Sequence, residues 1–244
     1  MKIEAVILAA GKGTRMKSDL PKVMHNVAGK PMIAWIIEAL TPVCDVLNVV
    51  TGHGWEIVED YIGRNFRNIK FSFQEVQNGT GGAVKAAIPN ISDDADSVFI
   101  CAGDTPLIRT ETFEKAEKSF VESGSDLLIV STVLDDAGSY GRIERTENGD
   151  VSGIVEYLDA DESQRKIKEI NSGIYLVEKH FLKEAVSQLK NNNAKQEYYL
   201  TDIVKFAVDM HKKVTAYVEK DSFSLSGIND QEQLKEVEKV LLDR

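Results

Sequence analysis

The stretch LAAGKGTRMKSDLPK, residues 8–22, follows the apolar run Ile3 to Leu8, whose length and β-branched content predict a buried strand. The small residues that come next, Ala9 to Gly13, allow a backbone to turn sharply and to bring its N–H groups against a ligand. Three cations lie in or after this turn: Lys12, Arg15 and Lys22. Backbone donors and positive side chains together bind polyanions. The stretch therefore predicts a loop that holds a triphosphate.

Spacing excludes two widespread phosphate-binding loops. A P-loop needs G-x-x-x-x-G-K-[ST], which occurs nowhere in the chain. The dinucleotide fingerprint needs a third small residue three positions after its second glycine, where this chain has Met16, so dinucleotide-dependent oxidoreduction is excluded too. The remaining alternative is a glycine-rich surface turn with scattered cations. The coincidence of a strand, a turn, Arg15 and Pro21-Lys22 argues against that alternative.

Length, charge and cysteine content exclude several classes of protein. A chain of 244 residues can bury one large core with a smaller lobe, and its net charge of -10 is the reverse of what nucleic-acid binding requires. No apolar run is long enough to span a membrane, and no leader pattern precedes the first strand. Cys44 and Cys101 are expected to be buried free thiols, and four scattered histidines argue against a zinc site. We therefore expect a cytoplasmic enzyme with no nucleic-acid or membrane partner.

Strands and helices alternate through the first half of the chain. A helix is predicted after Pro31, a strand at Val46 to Val50, a helix from Trp55 and a strand near Ile69 to Phe73. Short strands separated by helices of about ten residues predict right-handed crossovers and a parallel sheet. Ligands of such sheets bind at the carboxyl ends of the strands, where the loop around Gly11 falls.

Two later stretches complete the predicted site. Gln74 and the backbone of Gly79-Thr80 are candidates for holding a nucleobase, because an amide carries a donor and an acceptor together; the alternative role for Thr80 is a helix cap. The strand Ser97 to Cys101 ends in A-G-D-T-P-L, where Asp104 is either a turn residue or a metal ligand. A carboxylate at the same sheet edge as a triphosphate favours Mg²⁺.

Immediately after residue 134, the residue pattern no longer predicts long helices. Turn residues and short strands predict a smaller, partly antiparallel lobe within residues 135–200, with a hairpin at Asn148-Gly149. A helix ending near Met210, a strand at Val214 to Val218 and an amphipathic helix at 230–244, capped by Asp230, are then predicted. The fold class is α/β: a Rossmann-like, mixed but mainly parallel sheet with helices on both faces. Residues 1–229 would form its main domain.

Eight motifs occur in the order found in one known family: L-A-A-G-K-G-T-R-M, G-T-G, G-D-x-P-L, Y-G-R-I, G-I-V-E, E-I-N-S-G-I-Y, E-Y-Y-L-T-D and S-G-I-N-D. Over residues 2 to 230 the chain thereby resembles the sugar-1-phosphate nucleotidyltransferases. Among them it is most similar to the uridyltransferase domains of bifunctional N-acetylglucosamine-1-phosphate uridyltransferases. No hexapeptide repeat of the left-handed β-helix type is present, so acetyltransferase activity is not expected of this chain.

The resemblance implies a role for each matching residue. It implies a nucleotide site formed by Leu8, Ala9, Ala10, Gly11, Lys12, Gly13, Gln74, Gly79, Thr80 and Gly103. It implies a sugar site formed by Gly141, Glu156, Asn171 and Thr201. Arg15 and Lys22 would be the catalytic cations, and Asp104 and Asn229 would bind Mg²⁺.

The implied reaction is the transfer of UMP from UTP to N-acetylglucosamine-1-phosphate, with release of pyrophosphate. A sugar phosphate is ionised near neutral pH, since its second pKa is about 6, so no general base is needed. In-line attack then requires alignment and charge neutralisation, which cations and a metal ion supply.

Three positions depart from the family pattern: Ala102 replaces an aromatic residue, Gly82 replaces a histidine, and Leu158 replaces a cation expected near the phosphates. These departures leave open another sugar-1-phosphate or nucleotide, such as glucose-1-phosphate, dTTP, CTP or GTP. A non-catalytic nucleotide-sugar sensor is a further alternative, although intact Arg15 and Asp104 argue against it. The sequence also leaves open whether the chain forms a homo-oligomer and whether it is part of a longer protein.

Overall fold

The centre of the protein is a nine-stranded mixed sheet, as a computed structural model that describes residues 1–243 shows. The strands, including a separate two-stranded ribbon of β2 and β3, are β1 Ile3–Leu8, β2 Asn26–Val27, β3 Lys30–Pro31, β4 Val46–Thr51, β5 Ile69–Phe73, β6 Ser97–Ala102, β7 Leu127–Val133, β8 Arg142–Arg145, β9 Val151–Val155, β10 Glu169–Glu178 and β11 Val214–Val218. The helices are α1 Met32–Leu40, α2 Trp55–Asn65, α3 Thr80–Ala87, α4 Thr110–Ser123, α5 Glu162–Arg165, α6 Lys179–Gln188, α7 Asp202–Asp209 and α8 Gln231–Leu242.

The sheet order is β11-β7-β10-β6-β1-β4-β5, with β8 paired to β10 and β9 paired to β8. Neighbours on this path are parallel except at β10, which runs antiparallel to both β6 and β7. The predicted mixed, mainly parallel α/β architecture is therefore confirmed.

Two apolar layers cover the faces of the sheet. Successive side chains of a strand point to opposite faces, so Ile3, Ala5 and Ile7 of β1 join the core formed with α1, α2 and α4. Val6 joins the other core, formed with α3, α6 and α7. Burying an Ile or Val side chain completely stabilises the fold by roughly 1.5–3 kcal/mol, which explains why the apolar runs of the first half form the central strands.

The carboxyl ends of β1 and β6 are tied together by backbone hydrogen bonds. The N–H of Gly103 donates to the carbonyl of Leu8 at 2.9 Å, and the N–H of Ala9 donates to the carbonyl of Val50 in β4 at 2.9 Å. These bonds place the loops that follow β1 and β6 side by side at one edge of the sheet.

The predicted hairpin at Asn148-Gly149 is confirmed, since β8 and β9 are antiparallel and Gly149 has a φ of +88°. The segment predicted as a lobe differs from expectation at β10. The first half of this strand pairs with β8 and β7, but Tyr175 to Val177 lie inside the central sheet between β6 and β7. The local residue pattern predicts a strand there but carries no information about its neighbours. A register shift between Asn171 and Ile174 separates the two halves.

Helix α8 packs against the rest of the protein. Asp230 caps it as predicted, accepting hydrogen bonds from the N–H groups of Glu232 and Gln233 at 3.0 and 2.9 Å. Its apolar side chains Val237 and Leu241 join a third core that includes Val27, Met32, Leu107 and Ile228. Within residues 1–243, no helix has the length and apolar character needed to cross a membrane.

Candidate functional site

The loop after β1 is held open by glycine. Gly13 has a φ of +61°, a left-handed conformation that side chains disfavour. A Cβ atom at this position would lie 2.6 Å from the Cβ of Lys22, so the loop passes too close to Lys22 to accept any other residue. Gly13 therefore allows the backbone of the loop to approach Lys22 closely.

Four residues predicted from three separate stretches of the sequence converge beside this loop. The Asn229 side-chain oxygen Oδ1 accepts hydrogen bonds from Arg15 Nη2 at 2.8 Å and from Lys22 Nζ at 3.0 Å. Lys22 Nζ also forms a salt bridge with Asp104, and both side chains of this pair are largely buried. The carbonyl of Asp104 accepts a hydrogen bond from the N–H of Ile228 at 2.9 Å, which fixes the position of Asn229 relative to β6.

The Asp104–Asn229 pair has the donor set that a divalent cation requires. Both oxygens contact one positively charged atom, Lys22 Nζ, so they point at a common location. Mg²⁺ binds through one or two protein oxygens together with substrate phosphates. No group of three or more His, Cys, Asp or Glu side chains suited to a metal occurs among residues 1–243. The two residues thus fit a metal ion shared with a phosphate ligand.

A cavity of about 310 Å³, here called the nucleotide cavity, lies over this cluster. Six of the predicted nucleotide residues line it: Leu8, Ala9, Ala10, Gly11, Gly13 and Thr80. Arg15, Lys22, Asp104 and Asn229 line it as well. The cavity therefore combines the glycine loop, the cations and the candidate metal ligands in one place.

Four other predicted nucleotide residues do not line this cavity. Lys12 is exposed on the loop. Gly103 is so closely packed that a Cβ atom at this position would lie 2.8 Å from the Ile33 side chain. Gln74 is 5% exposed, and its Nε2 donates to the Gly79 carbonyl at 3.1 Å and to Asn78 Oδ1 at 3.2 Å. Gln74 thus holds the turn in front of α3, while its role toward a nucleobase stays a prediction.

Thr80 is the first residue of α3, and Gly79 occupies the cap position without a side-chain bond, so a capping role for Thr80 is wrong. The Thr80 hydroxyl accepts a hydrogen bond from the N–H of Leu200 at 3.1 Å instead. The N–H of Gly81 donates to the carbonyl of Tyr198 at 2.8 Å. These bonds join the start of α3 to the segment before α7.

All four predicted sugar residues line a second cavity of about 390 Å³, here called the sugar cavity: Gly141, Glu156, Asn171 and Thr201. Leu8, Thr80, Ala102 and Asn229 line both cavities, which therefore adjoin.

The four sugar residues are joined by hydrogen bonds in two pairs. Thr201 Oγ1 donates to Glu156 Oε1 at 3.2 Å, and the N–H of Asn171 donates to the carbonyl of Gly141 at 2.9 Å. A Cβ on Gly141 would lie 3.2 Å from Ile154 and 3.5 Å from the Glu156 carboxylate, so glycine keeps this wall open.

Glu156 is the half-buried carboxyl group of the sugar cavity. Burial raises the pKa of its carboxyl above the ordinary value of 4.5, and the hydrogen bond from Thr201 and the charge of Lys195 oppose that shift. A half-buried carboxylate with free acceptor capacity can bind sugar hydroxyl groups. The geometry supports an acceptor role for Glu156.

Residues not predicted from the sequence line a third cavity of about 570 Å³, here called the outer cavity. It shares Arg15 and Asn229 with the nucleotide cavity and Glu156 with the sugar cavity. Its further walls include Tyr140, Leu158, Lys195, Tyr199 and Gln233. Tyr140 and Tyr199 lie inside the Y-G-R-I and E-Y-Y-L-T-D motifs and could have been found there. Lys195 lies in no motif.

Comparison with known proteins agrees with this geometry. Residues 5–165 match the family described as the MobA-like NTP transferase domain. The chain is 44% identical over 241 residues to the bifunctional protein GlmU of Caldanaerobacter subterraneus subsp. tengcongensis, which covers 98% of this chain and 52% of the relative. It is 41% identical to GlmU of Exiguobacterium sibiricum over 96% of this chain and 52% of that protein. The chain thus spans about half the length of these relatives.

Solved structures share the fold. A UDP-glucose pyrophosphorylase in complex with UDP-glucose superposes with a TM-score of 0.77 at 19% identity, covering 100% of this chain and 99% of the other. HddC from Yersinia pseudotuberculosis, solved in complex with GMP-PN, gives a TM-score of 0.71 at 23% identity, with 98% and 99% covered.

Proposed function

Because the chain belongs to the MobA-like NTP transferase domain family, as a sugar-1-phosphate nucleotidyltransferase related to the GlmU uridyltransferase domain, we propose that it transfers UMP from UTP to N-acetylglucosamine-1-phosphate. The products are UDP-N-acetylglucosamine and pyrophosphate. One observation carries the proposal: Arg15, Lys22, Asp104 and Asn229 form a single hydrogen-bonded cluster between the nucleotide cavity and the outer cavity.

The chemistry requires alignment more than proton transfer. A phosphate oxygen of the sugar phosphate attacks the α-phosphorus of UTP, the new P–O bond forms, and the bond to pyrophosphate breaks. The attacking oxygen is already ionised near neutral pH because the second pKa of a phosphate monoester is about 6. Arg15 and Lys22 neutralise the triphosphate and hold it in line, which is the main task in phosphoryl transfer.

Asp104 and Asn229 are the residues that would hold Mg²⁺. When bound, this ion supplies further neutralisation of phosphate charge. Lys22 contacts both oxygens, which supports a shared role of these three residues in neutralising phosphate charge.

The sugar cavity supports the second half of the proposal. Glu156 and Thr201, which are hydrogen-bonded to each other, line it, and Asn171 is fixed by its contact with the hydroxyl of Tyr175 at 2.6 Å. These groups match the hydroxyl and amide groups of an N-acetylated sugar.

Another sugar-1-phosphate or nucleotide is the second candidate. It is favoured by Leu158, an apolar residue, 56% exposed, on the wall of the outer cavity where the family pattern has a cation. The solved structure with UDP-glucose belongs to a protein of the same fold. Glucose-1-phosphate with UTP, dTTP or CTP is therefore the first set of alternatives to test.

The test is pyrophosphate release with Mg²⁺, UTP and N-acetylglucosamine-1-phosphate, compared with glucose-1-phosphate and the other nucleotides. Release that is fastest with the first pair supports the proposal. Release only with another pair keeps the mechanism and changes the substrate. Binding of UDP-sugars without release of pyrophosphate from any pair contradicts an enzymatic function and favours a nucleotide-sugar sensor.

A further inference from the structure

The outer cavity lacks a cation at position 158. Leu158 and Tyr157 form one wall of this cavity, and Arg15 and Asn229 form another. The outer cavity shares Glu156 with the sugar cavity and Arg15 and Asn229 with the nucleotide cavity, so, if the proposed function holds, it lies where the phosphate of the sugar substrate meets the nucleotide. An anion in this place needs positive side chains to offset its charge.

Lys195 lies on the neighbouring loop, residues 189–201, which joins α6 to α7. This loop is fixed to the segment after Leu158, since the N–H of Ala194 donates to Asp159 Oδ1 at 3.1 Å. Asn193 closes the loop internally, with Nδ2 donating to the Glu197 carbonyl at 2.5 Å and Oδ1 accepting from the Glu197 N–H at 3.2 Å. Lys195 is therefore held beside position 158 by the backbone.

The C-terminal part of the same loop is fixed to the segment that precedes α3. The N–H of Tyr198 donates to the carbonyl of Asn78 at 2.8 Å, next to the turn that starts α3. The loop that carries Lys195 thus spans from the sugar lobe to the nucleotide cavity, and its position is set by both.

Two polar groups of the outer cavity have no partner among residues 1–243. The ammonium group of Lys195 makes no ion pair or hydrogen bond, in contrast to Lys22. The hydroxyl of Tyr199, a residue that is only 8% exposed, also has no hydrogen-bond partner, although the backbone of Lys195 lies near it. A buried hydroxyl without a partner is costly unless a ligand satisfies it.

We propose that Lys195 binds the phosphate group of the incoming sugar-1-phosphate, with the Tyr199 hydroxyl as a second donor, and so supplies from the α6–α7 loop the charge that Leu158 does not. This inference rests on the proposed function and identifies a specificity-determining residue for it. The field of Lys195 already reaches this region, since its charge lowers the pKa of Glu156 against the larger effect of burial.

The experiment compares Lys195→Met with Lys190→Met. Lys190 is exposed on the same loop and lines none of the three cavities, so both variants remove one positive charge from one loop. Loss of a charge-assisted hydrogen bond should raise KM for the sugar-1-phosphate about tenfold in Lys195→Met. KM for the nucleotide should stay within about twofold, and the effect should shrink at high salt because Lys195 is exposed.

The double variant Leu158→Lys/Lys195→Met provides the decisive KM measurement. Moving the cation to position 158 should restore most of the lost affinity for the sugar phosphate, which a merely structural role of Lys195 would not allow. Equal KM values in Lys195→Met and Lys190→Met, or no recovery in the double variant, would overturn the proposal.

Direct binding separates this proposal from the proposed function. If the wild-type protein releases no pyrophosphate from any pair, the proposed function fails, and calorimetric binding of N-acetylglucosamine-1-phosphate to the wild type and the two lysine variants decides the role of Lys195. Weaker binding in Lys195→Met alone supports that role. No binding to the wild type, or equal binding to all three, overturns it.

Discussion

The nucleotide cavity and the sugar cavity adjoin at Thr80 and Asn229 but are built in different ways. The nucleotide cavity depends on the backbone of the loop after β1, which has no room for a side chain at Gly13 and lies against Lys22. The sugar cavity is formed by side chains from β10, from the start of α7 and from the residues that follow β9. Its groups are held by bonds to one another, such as that between Thr201 and Glu156.

The two cavities should therefore respond differently to substitution. A site made of backbone fails when the chain is displaced, so one added methyl group has a large effect. A site made of side chains loses one contact at a time, so each substitution weakens one substrate and spares the other. The following predictions test this contrast, in decreasing order of the expected effect.

The largest effect is expected for Asp104→Ala. This change removes a proposed metal ligand and leaves Lys22 without its carboxylate partner. Pyrophosphate release should fall by about 10²–10³-fold, the range typical for loss of one group that stabilises developing charge. Asp135→Ala is the control, since the Asp135 side chain is fully exposed and pairs with Lys168 on the surface. Equal rates in the two variants would contradict the assignment of Asp104.

Gly13→Ala should lower activity at least tenfold by displacing Lys22. Gly149→Ala is its matched control, because Gly149 has a φ of +88° but no heavy atom lies within 4 Å of the place that its added Cβ would take. Backbone strain should cost each variant about 1–2 kcal/mol of unfolding free energy, and the contact with Lys22 should destabilise Gly13→Ala further. Only the first should slow pyrophosphate release, measured beside denaturant unfolding. Full activity of Gly13→Ala would show that the approach to Lys22 is unimportant.

Glu156→Gln should raise KM for the sugar phosphate about tenfold and leave KM for the nucleotide unchanged, because a carboxylate is a stronger hydrogen-bond acceptor than an amide. Glu147→Gln, an exposed change in the hairpin turn, provides the control. A comparable rise in both KM values would show that the two cavities are not independent.

Glu156 also predicts a pH effect on stability. Burial raises its folded-state pKa above 4.5, so the protonated form is favoured in the folded protein. Its contribution to the free energy of unfolding is full below pH 4.5 and is lost as pH rises through the raised pKa. The free energy of unfolding of Glu156→Gln should not decrease with pH in this range. An unchanged pH dependence in the variant would show that another group causes it.

The smallest effect is expected at His25, near the nucleotide loop. Burial lowers its pKa below 6.5, with a smaller opposing effect from the backbone of Leu20, and its Nε2 has no hydrogen-bond partner among the described residues. The neutral form is favoured in the folded protein, so stability should be full above pH 6.5 and fall as pH decreases toward the lowered pKa. Thermal unfolding of His25→Leu should lose this dependence, whereas the exposed change His180→Leu should retain it.

The parts of the fold and site that were predictable are local in the sequence. The bounds of β1 and β11 agree with the apolar runs that predicted them. Arg15 and Lys22 lie within one stretch, and their placement follows from a strand, a turn and a proline. Asp104 and Asn229 are far apart in the chain, so their convergence was predictable only through resemblance.

The features that escaped prediction depend on tertiary contacts. The position of β10 depends on which strands lie beside it, which local propensity does not encode. Gln74 uses its amide to hold a turn, although its chemistry equally suits a base. Lys195 has no periodic or motif signal, and only the bond between Ala194 and Asp159 shows where its loop lies.

The insertion of β10 between β6 and β7 also has a consequence for synthesis of the chain. Both neighbours emerge from the ribosome before β10, and their facing edges stay without a partner until residue 178 has been made. Unpaired strand edges are prone to join other chains. We therefore expect nascent chains that stop before β10 to depend on chaperones, and the sheet to close only when this late strand is threaded between two early ones.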